Sequence, residues 1–146
     1  MLELYQEDGI IVEPAGCLSI CGLDELSNKM DIKGKNIVCI ISGGNNDIMR
    51  YPEILEKNKV YLGLKHYYII EFSQKPLELR RFISKVLDDK DDITRFEYIK
   101  KTNQTFGNVL VGFETENCME LEKKMEDNCF RFRKIDENDL IYSYLV

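Results

Sequence analysis

The stretch of this 146-residue chain best equipped for chemistry is Ser42-Gly43-Gly44-Asn45-Asn46-Asp47. It follows an unbroken apolar run over residues 37–41, made only of Ile, Val and Cys. Such a run, with no polar residue alternating in, reads as a central strand covered on both faces. In open α/β sheets, ligands gather at the carboxyl ends of such strands. Gly43 and Gly44 would let backbone N–H groups approach a ligand closely. Ser42 offers a neutral hydroxyl, while Asn45, Asn46 and Asp47 can cap a following helix. The same residues also make an ordinary turn. Glu13 stands at the end of a second short apolar run, residues 10–12. Taken by itself, it reads as a strand-end carboxylate capping the next helix.

The elements needed to position these residues follow from the flanking pattern. Residues 2–7 read as the tail of a helix capped by Gly9. Residues 10–12 and 37–41 read as strands. Between them a helix begins among small and apolar residues from Ala15 to Leu23 and continues its stripe through Leu26 and Met30. A right-handed βαβ unit over 10–41 is the expected arrangement. A further helical stretch covers 47–57, with Pro52 expected to break it or to begin its second piece. Two parallel strands cannot cover their own faces. Residues 1–60 are therefore expected to be the terminal α/β piece of a larger domain.

After a charged connector at 57–66 the pattern changes. Residues 67–72 form a β-rich run, and Pro76 can open a helix carrying Leu79, Phe82, Ile83, Val86 and Leu87. Residues 93–101 alternate, with Phe96 and Tyr98 on one face and Arg95 and Glu97 on the other. Thr102-Asn103-Gln104-Thr105 and Gly107 would connect this strand to another at 109–113. Asn117 and Glu120 have capping-box spacing ahead of Leu121 and Met125. Residues 130–135 alternate with Phe130 and Phe132 inward, and Leu140, Ile141, Tyr144 and Leu145 suggest a closing helix. The order β-α-β-β-α-β predicts an α+β, ferredoxin-like domain over 61–146.

Composition narrows the function classes. The chain is 44% hydrophobic and 32% charged with a net charge of −6, which describes a globular protein with an acidic surface. That surface argues against nucleic acid and anionic membranes as partners. No stretch has the length of an apolar membrane span, and the first residues lack the pattern of a signal peptide, so a cytoplasmic location is expected. Five cysteines without C-x-x-C spacing read as free thiols in a reducing compartment. The acidic groups at 88–92 and 136–139 read as solvated loop and cap residues. His66, the only histidine, has no triad partner recognisable by motif.

Glu13-Pro14-Ala15-Gly16, Lys33-Gly34-Lys35-Asn36 and Ile41 through Asp47 together resemble the last part of the catalytic domain of the threonine dehydratases (threonine ammonia-lyases). These are fold-type II pyridoxal-phosphate enzymes. His66-Tyr67-Tyr68 through Phe72, the run Asp91 to Tyr98, and Val109-Leu110-Val111-Gly112 resemble the ACT-like regulatory domain of the same enzymes, in the same order. The resemblance spans essentially the whole chain. It implies a terminal catalytic piece over 1–60 and an ACT-like (βαββαβ) regulatory domain over 61–146. It also implies a lyase reaction in isoleucine and branched-chain amino acid biosynthesis, in which L-threonine yields 2-oxobutanoate and ammonia on pyridoxal phosphate.

Matched position by position, the resemblance makes Ser42 the hydroxyl that hydrogen-bonds the pyridine nitrogen of the cofactor. Glu13 becomes an acid beside its ring, and Gly43, Gly44 and Asn45 the wall behind it. The family's Schiff-base lysine and glycine-rich phosphate loop have no counterpart here, so the chain by itself is expected to be catalytically incompetent. The resemblance further implies allosteric control by isoleucine or valine and a homo-oligomer. Where many ACT domains carry Arg-Pro-Gly, this chain has Lys75-Pro76-Leu77, which puts an amino-acid site at that loop in question. The alternative is a non-catalytic ACT-like module that binds an amino acid or pairs with another copy.

Overall fold

The computed structural model describes residues 1–99 and 104–145. They form two compact units, residues 1–55 and 56–146. In the first, helix α1 (Leu2–Asp8) ends at Gly9, whose left-handed φ of 67° closes the helix as expected. A 3-10 turn, Pro14–Cys17, leads into α2 (Leu18–Lys29). Helix α3 (Tyr51–Tyr61) begins after a second 3-10 turn, Ile48–Arg50, and Pro52 occupies its first turn, where a missing N–H costs nothing. Asp47 caps this approach by accepting the Met49 N–H at 2.9 Å.

The expected strands at 10–12 and 37–41 are not formed, and with them the βαβ unit is absent among the described residues. Val38 and Ile40 are 88% and 75% exposed rather than buried. The physical reason is that a strand exists only through a hydrogen-bonded neighbour. The bonds that hold these segments are isolated loop and side-chain contacts to other residues: Val12 accepts from the Asn46 amide and Ile40 from the Ser19 hydroxyl. For the same reason α2 has no buried residue, although Leu23 and Leu26 keep partial cover.

The second unit carries the expected α+β plan. Strands β1 (Lys65–Ser73), β2 (Asp92–Tyr98), β3 (Phe106–Glu114) and β4 (Arg131–Ile135) form one antiparallel sheet in the order β2-β3-β1-β4. Helices α4 (Glu78–Val86) and α5 (Cys118–Asp127) fall in the two crossover positions of a ferredoxin-like fold. Alternation along β1 and β3 buries Tyr68, Ile70, Phe72, Val109, Val111 and Phe113. Phe82 and Val86 of α4, and Leu121 and Met125 of α5, close the core over that face. Phe96, Tyr98 and Phe132 pack against its rim, as their alternation predicts.

Three expectations for this unit need correction. Residues 57–61 belong to α3 rather than to a connector, because this turn of the helix is held by ion pairs of Glu56 with Lys65 and of Lys59 with Glu114. Helix α4 opens at Glu78 behind Leu77 rather than at Pro76 and ends before Leu87, its C-cap; within it Phe82 and Val86 are fully buried, while Leu79 and Ile83 are 39% and 46% exposed. The closing helix is a single 3-10 turn, Tyr142–Tyr144, with Leu140 89% and Tyr144 83% exposed, so their apolar surface contributes little to stabilise a longer helix. Of the expected β2–β3 connection, Thr102 and Asn103 lie outside the described residues, as does the end of the strand expected to reach residue 101.

Helix α5 shows how local chemistry sets its limits. At its start Asn117 accepts the Glu120 N–H at 3.2 Å while its amide donates to the Glu120 carboxylate at 3.1 Å, a capping box closed side chain to side chain. At its end Phe130 N–H reaches the Met125 carbonyl and Cys129 N–H the Glu126 carbonyl, both at 2.9 Å. This is a Schellman cap with its Phe130–Met125 apolar contact, and Cys129 holds the left-handed position with φ 58°. A side chain in that conformation costs about 1–2 kcal/mol relative to glycine. Cys129→Gly is therefore expected to raise stability by about 0.5–1 kcal/mol, read as a higher urea midpoint with an unchanged slope.

Candidate functional site

The N-terminal unit brings together the two loops that the sequence singles out. Glu13 N–H donates to the Gly43 carbonyl at 3.1 Å, and Ser42 N–H to the Gly16 carbonyl at 3.4 Å. Gly16 allows this approach, because a Cβ there would stand 1.7 Å from the Ser42 carbonyl oxygen. Gly43 has φ +75°, and a Cβ on it would strike the Glu13 carboxylate at 2.2 Å. Glu13 is half-buried, whereas Ser42, Gly43, Gly44 and Asn45 are exposed. The result puts the Glu13 carboxylate beside Gly43, next to exposed Ser42 and a glycine-built backbone edge.

Sequence reasoning missed two residues that hold this edge. Asn46 is not simply a cap: its amide donates to the Val12 carbonyl at 3.0 Å and reaches the Tyr51 hydroxyl at 3.4 Å. Gly16 was legible only as a small residue of a helix start, yet it supplies the close contact between the loops. Ser19 adds a further tie, its hydroxyl donating to the Ile40 carbonyl at 2.9 Å. Cys39 lies against the Ser19 carbonyl and Cys17 against the Pro14 carbonyl, and all five cysteines are free thiols.

In the second unit, a charged cluster sits beneath the first residues of β1. The Lys65 side chain is 8% exposed and lies 2.6 Å from the Glu56 carboxylate and 3.5 Å from that of Glu114. Lys59 reaches Glu114 from the other side at 2.6 Å. The Tyr67 hydroxyl donates to Glu56. The Lys59 hydrogen bond holds the Glu114 carboxyl below its ordinary range, while burial followed by the Glu56 bond pushes the Tyr67 phenol well up. This cluster accounts for the extension of α3 through Lys59, because it fastens one helical turn to two neighbouring strands.

The loop before α4 takes the shape a glycine would give it. Leu77 is the N-cap of α4 with φ 70° and ψ 4°, and its side chain is 71% exposed. The backbone at Lys75-Pro76-Leu77 thus enters the left-handed region without a glycine. Nearby, Gln74 is buried with its amide donating to the Phe106 carbonyl at 3.2 Å.

Three further titratable groups, His66, Asp88 and Asp139, have structural partners. His66 Nε2 lies 2.9 Å from the Gly63 carbonyl oxygen, and burial, then the Lys134 charge, lower its pKa. Asp88 pairs with Lys124, and Asp139 with Arg133 at 2.6 Å. Among the described residues no group of three or more His, Cys, Asp or Glu side chains is placed to hold a metal ion. No helix among them is long and apolar enough to cross a membrane.

Comparison with known proteins matches residues 56–145 to the family described as the C-terminal regulatory domain of threonine dehydratase. The whole chain is also similar to proteins named L-threonine dehydratase biosynthetic IlvA. It is 47% identical over 149 residues to that of Corynebacterium glutamicum, covering 100% of this chain and 34% of the relative. To that of Lactococcus lactis it is 48% identical over 151 residues, covering 35% of the relative, and to that of Mycobacterium leprae 45% over 150 residues, covering 34%. The chain therefore spans about a third of the length of the curated relatives it matches. A four-stranded antiparallel sheet with two crossover helices, occupying the residues that the family match covers, makes this chain a member of the threonine dehydratase C-terminal regulatory domain family.

Proposed function

We propose that this chain acts as the regulatory carboxyl-terminal portion of a threonine ammonia-lyase, the enzyme that turns L-threonine into 2-oxobutanoate and ammonia for isoleucine synthesis in the cytoplasm. The observation that carries this reading is the family match over 56–145 combined with similarity to biosynthetic threonine dehydratases along the full chain. In this reading residues 61–146 bind a branched-chain amino acid, isoleucine or valine, and the chain works as a homo-oligomer. Residues 1–60 contribute one wall of the pyridoxal-phosphate site of the complete enzyme.

The residues present fit that cofactor on chemical grounds. Its ring nitrogen needs a partner, and its ring needs a wall without bulky side chains. Ser42 offers a neutral hydroxyl, which does not hold a ring nitrogen protonated as a carboxylate would. Gly43 leaves room for the Glu13 carboxylate to lie across the loop, in the space a Cβ would otherwise take. Gly44 and Asn45 continue the exposed backbone edge. When bound, pyridoxal phosphate supplies an electron sink for loss of the Cα proton and the β-hydroxyl. The part of Ser42 is to hold the sink weak, and that of Glu13, Gly43, Gly44 and Asn45 is to orient and enclose it.

The effector reading is tested by thermal unfolding of the chain with isoleucine, valine or threonine. A rise in midpoint that grows with millimolar isoleucine or valine, and not with threonine, is the expected result, because a ligand of the folded state stabilises by mass action. No rise with either aliphatic amino acid overturns this part of the reading.

A further inference from the structure

The face of the sheet opposite Phe72 and Val111 carries a self-complementary row of side chains. The strand registers set Glu97 of β2 against Leu110 of β3, Leu110 against Ile69 of β1, and Ile69 against Arg133 of β4. Residues directly opposed on neighbouring strands share a face, so the row reads acid, apolar, apolar, base across the full width of the sheet. The Glu97 and Arg133 side chains are 55% and 56% exposed, and Ile69 and Leu110 are half-buried. Ile99 and Phe106, 75% and 46% exposed, extend the apolar part. These four apolar residues, with Glu71 and Glu97, line an open groove of about 410 Å³.

We propose that this face is the contact surface between two copies of the chain, related by a twofold axis parallel to the strands. The inference rests on the homo-oligomer reading above and assigns its surface. Rotation about such an axis lays β4 of each copy over β2 of the other. Glu97 then meets Arg133 of the second copy, twice, and Leu110 covers Ile69, twice. Packed sheets stand about 10 Å apart, a gap that Glu and Arg side chains bridge from opposite sides. A twofold axis across the strands would instead set Glu97 on Glu97 and Arg133 on Arg133, so the charges favour one orientation and disfavour the other. A foreign cationic or anionic partner would match only half of the row. Four strands make a face about 19 Å wide, smaller than a standard interface, so association in the micromolar range is expected.

Both charges also have partners within the chain: Arg95 beside Glu97 at 2.7 Å, and Asp139 beside Arg133 at 2.6 Å. The test must separate those contacts from the intermolecular ones. Glu97→Arg and Arg133→Glu are made singly in the full chain, and self-association is followed by sedimentation equilibrium. Each variant alone places like charges across the interface, and its dimer is expected to weaken about tenfold. An equimolar mixture of the two is expected to regain wild-type association, because both cross-contacts become attractive while the contacts within each chain stay disturbed. Circular dichroism checks that each variant is folded. If one is not, Glu97→Gln and Arg133→Gln replace the pair, and each is expected to weaken the dimer by a smaller factor. A chain that is monomeric at every concentration overturns the oligomer reading along with this face. Self-association that neither charge reversal nor neutralisation alters leaves the oligomer reading standing and overturns this face as its surface. Failure of the mixture to recover also overturns it.

Discussion

Phe82→Ala is expected to destabilise the regulatory unit by about 3–5 kcal/mol, the usual cost of emptying a fully buried aromatic site. Phe82 is 0% exposed. Its ring centroid lies 5.0 Å from that of Phe72 and 5.0 Å from that of Phe130, the latter edge to face at 90°. A third neighbour, Phe113, stands at 6.1 Å. The substitution therefore loses the transfer free energy of one ring and leaves a cavity among three others, which are anchored on different strands or loops and cannot all move in. A loss of this size is comparable to the whole stability of a small domain. Urea unfolding followed by tyrosine fluorescence would show the midpoint fall steeply or the transition vanish. Phe82→Leu, which refills part of the volume, should recover a good part of the loss. A midpoint within about 1 kcal/mol of wild type for Phe82→Ala would show that the aromatic cluster is not what holds α4 to the sheet.

Lys65→Met is expected to cost about 2–3 kcal/mol near neutral pH, less than for a fully buried pair, because both of its carboxylate partners keep some contact with water. Methionine keeps most of the buried stem, so the loss reports the charge. Without the ammonium, Glu114 keeps its Lys59 ion pair and Glu56 keeps the Tyr67 hydroxyl, but neither retains the cation they share. The acid dependence gives a second reading. The Glu114 pKa is lower in the folded chain than unfolded, first through the Lys59 hydrogen bond. Its contribution is therefore fully present above the ordinary carboxylate pKa and is lost as pH falls through the lower, folded value. Wild-type stability should decline with acid in that window. Lys59→Met should flatten the decline, because it removes the main cause of the shift. Chemical denaturation at several pH values below neutrality measures both slopes, and identical slopes for wild type and Lys59→Met would contradict the assignment.

The two predictions concern different kinds of information. The aromatic core was readable along the chain. Phe96 and Tyr98 alternate against Arg95 and Glu97, Phe130 and Phe132 repeat at spacing two, and Phe82 and Val86 recur at helical spacing. Those periods depend on neighbours a few residues away, and the Asn117–Glu120 cap is equally local. The sequence by itself therefore determined the element order of the regulatory unit, its buried face and, through resemblance, its family. The Lys65 cluster could not be read that way. It joins Glu56 and Lys59 of a helix to Glu114 of a strand more than fifty positions later, and only the β1–β3 register brings them together.

The same distinction explains the errors. The apolar runs at 10–12 and 37–41 have strand composition, but composition supplies no hydrogen-bonding neighbour, and without one the backbone remains irregular. The left-handed backbone at Leu77 was likewise invisible in the sequence, because the turn into α4 imposes it on a residue type that does not favour it. In the candidate cofactor wall, residue types were legible while their adjacency was not. Glu13 and Gly43 are thirty positions apart, and only the tertiary structure decided that the carboxylate of one fills the space beside the other. The charged row on the open sheet face belongs to the same class. Each of its four residues is unremarkable in its own segment, and the row exists only because four strands are aligned in one register.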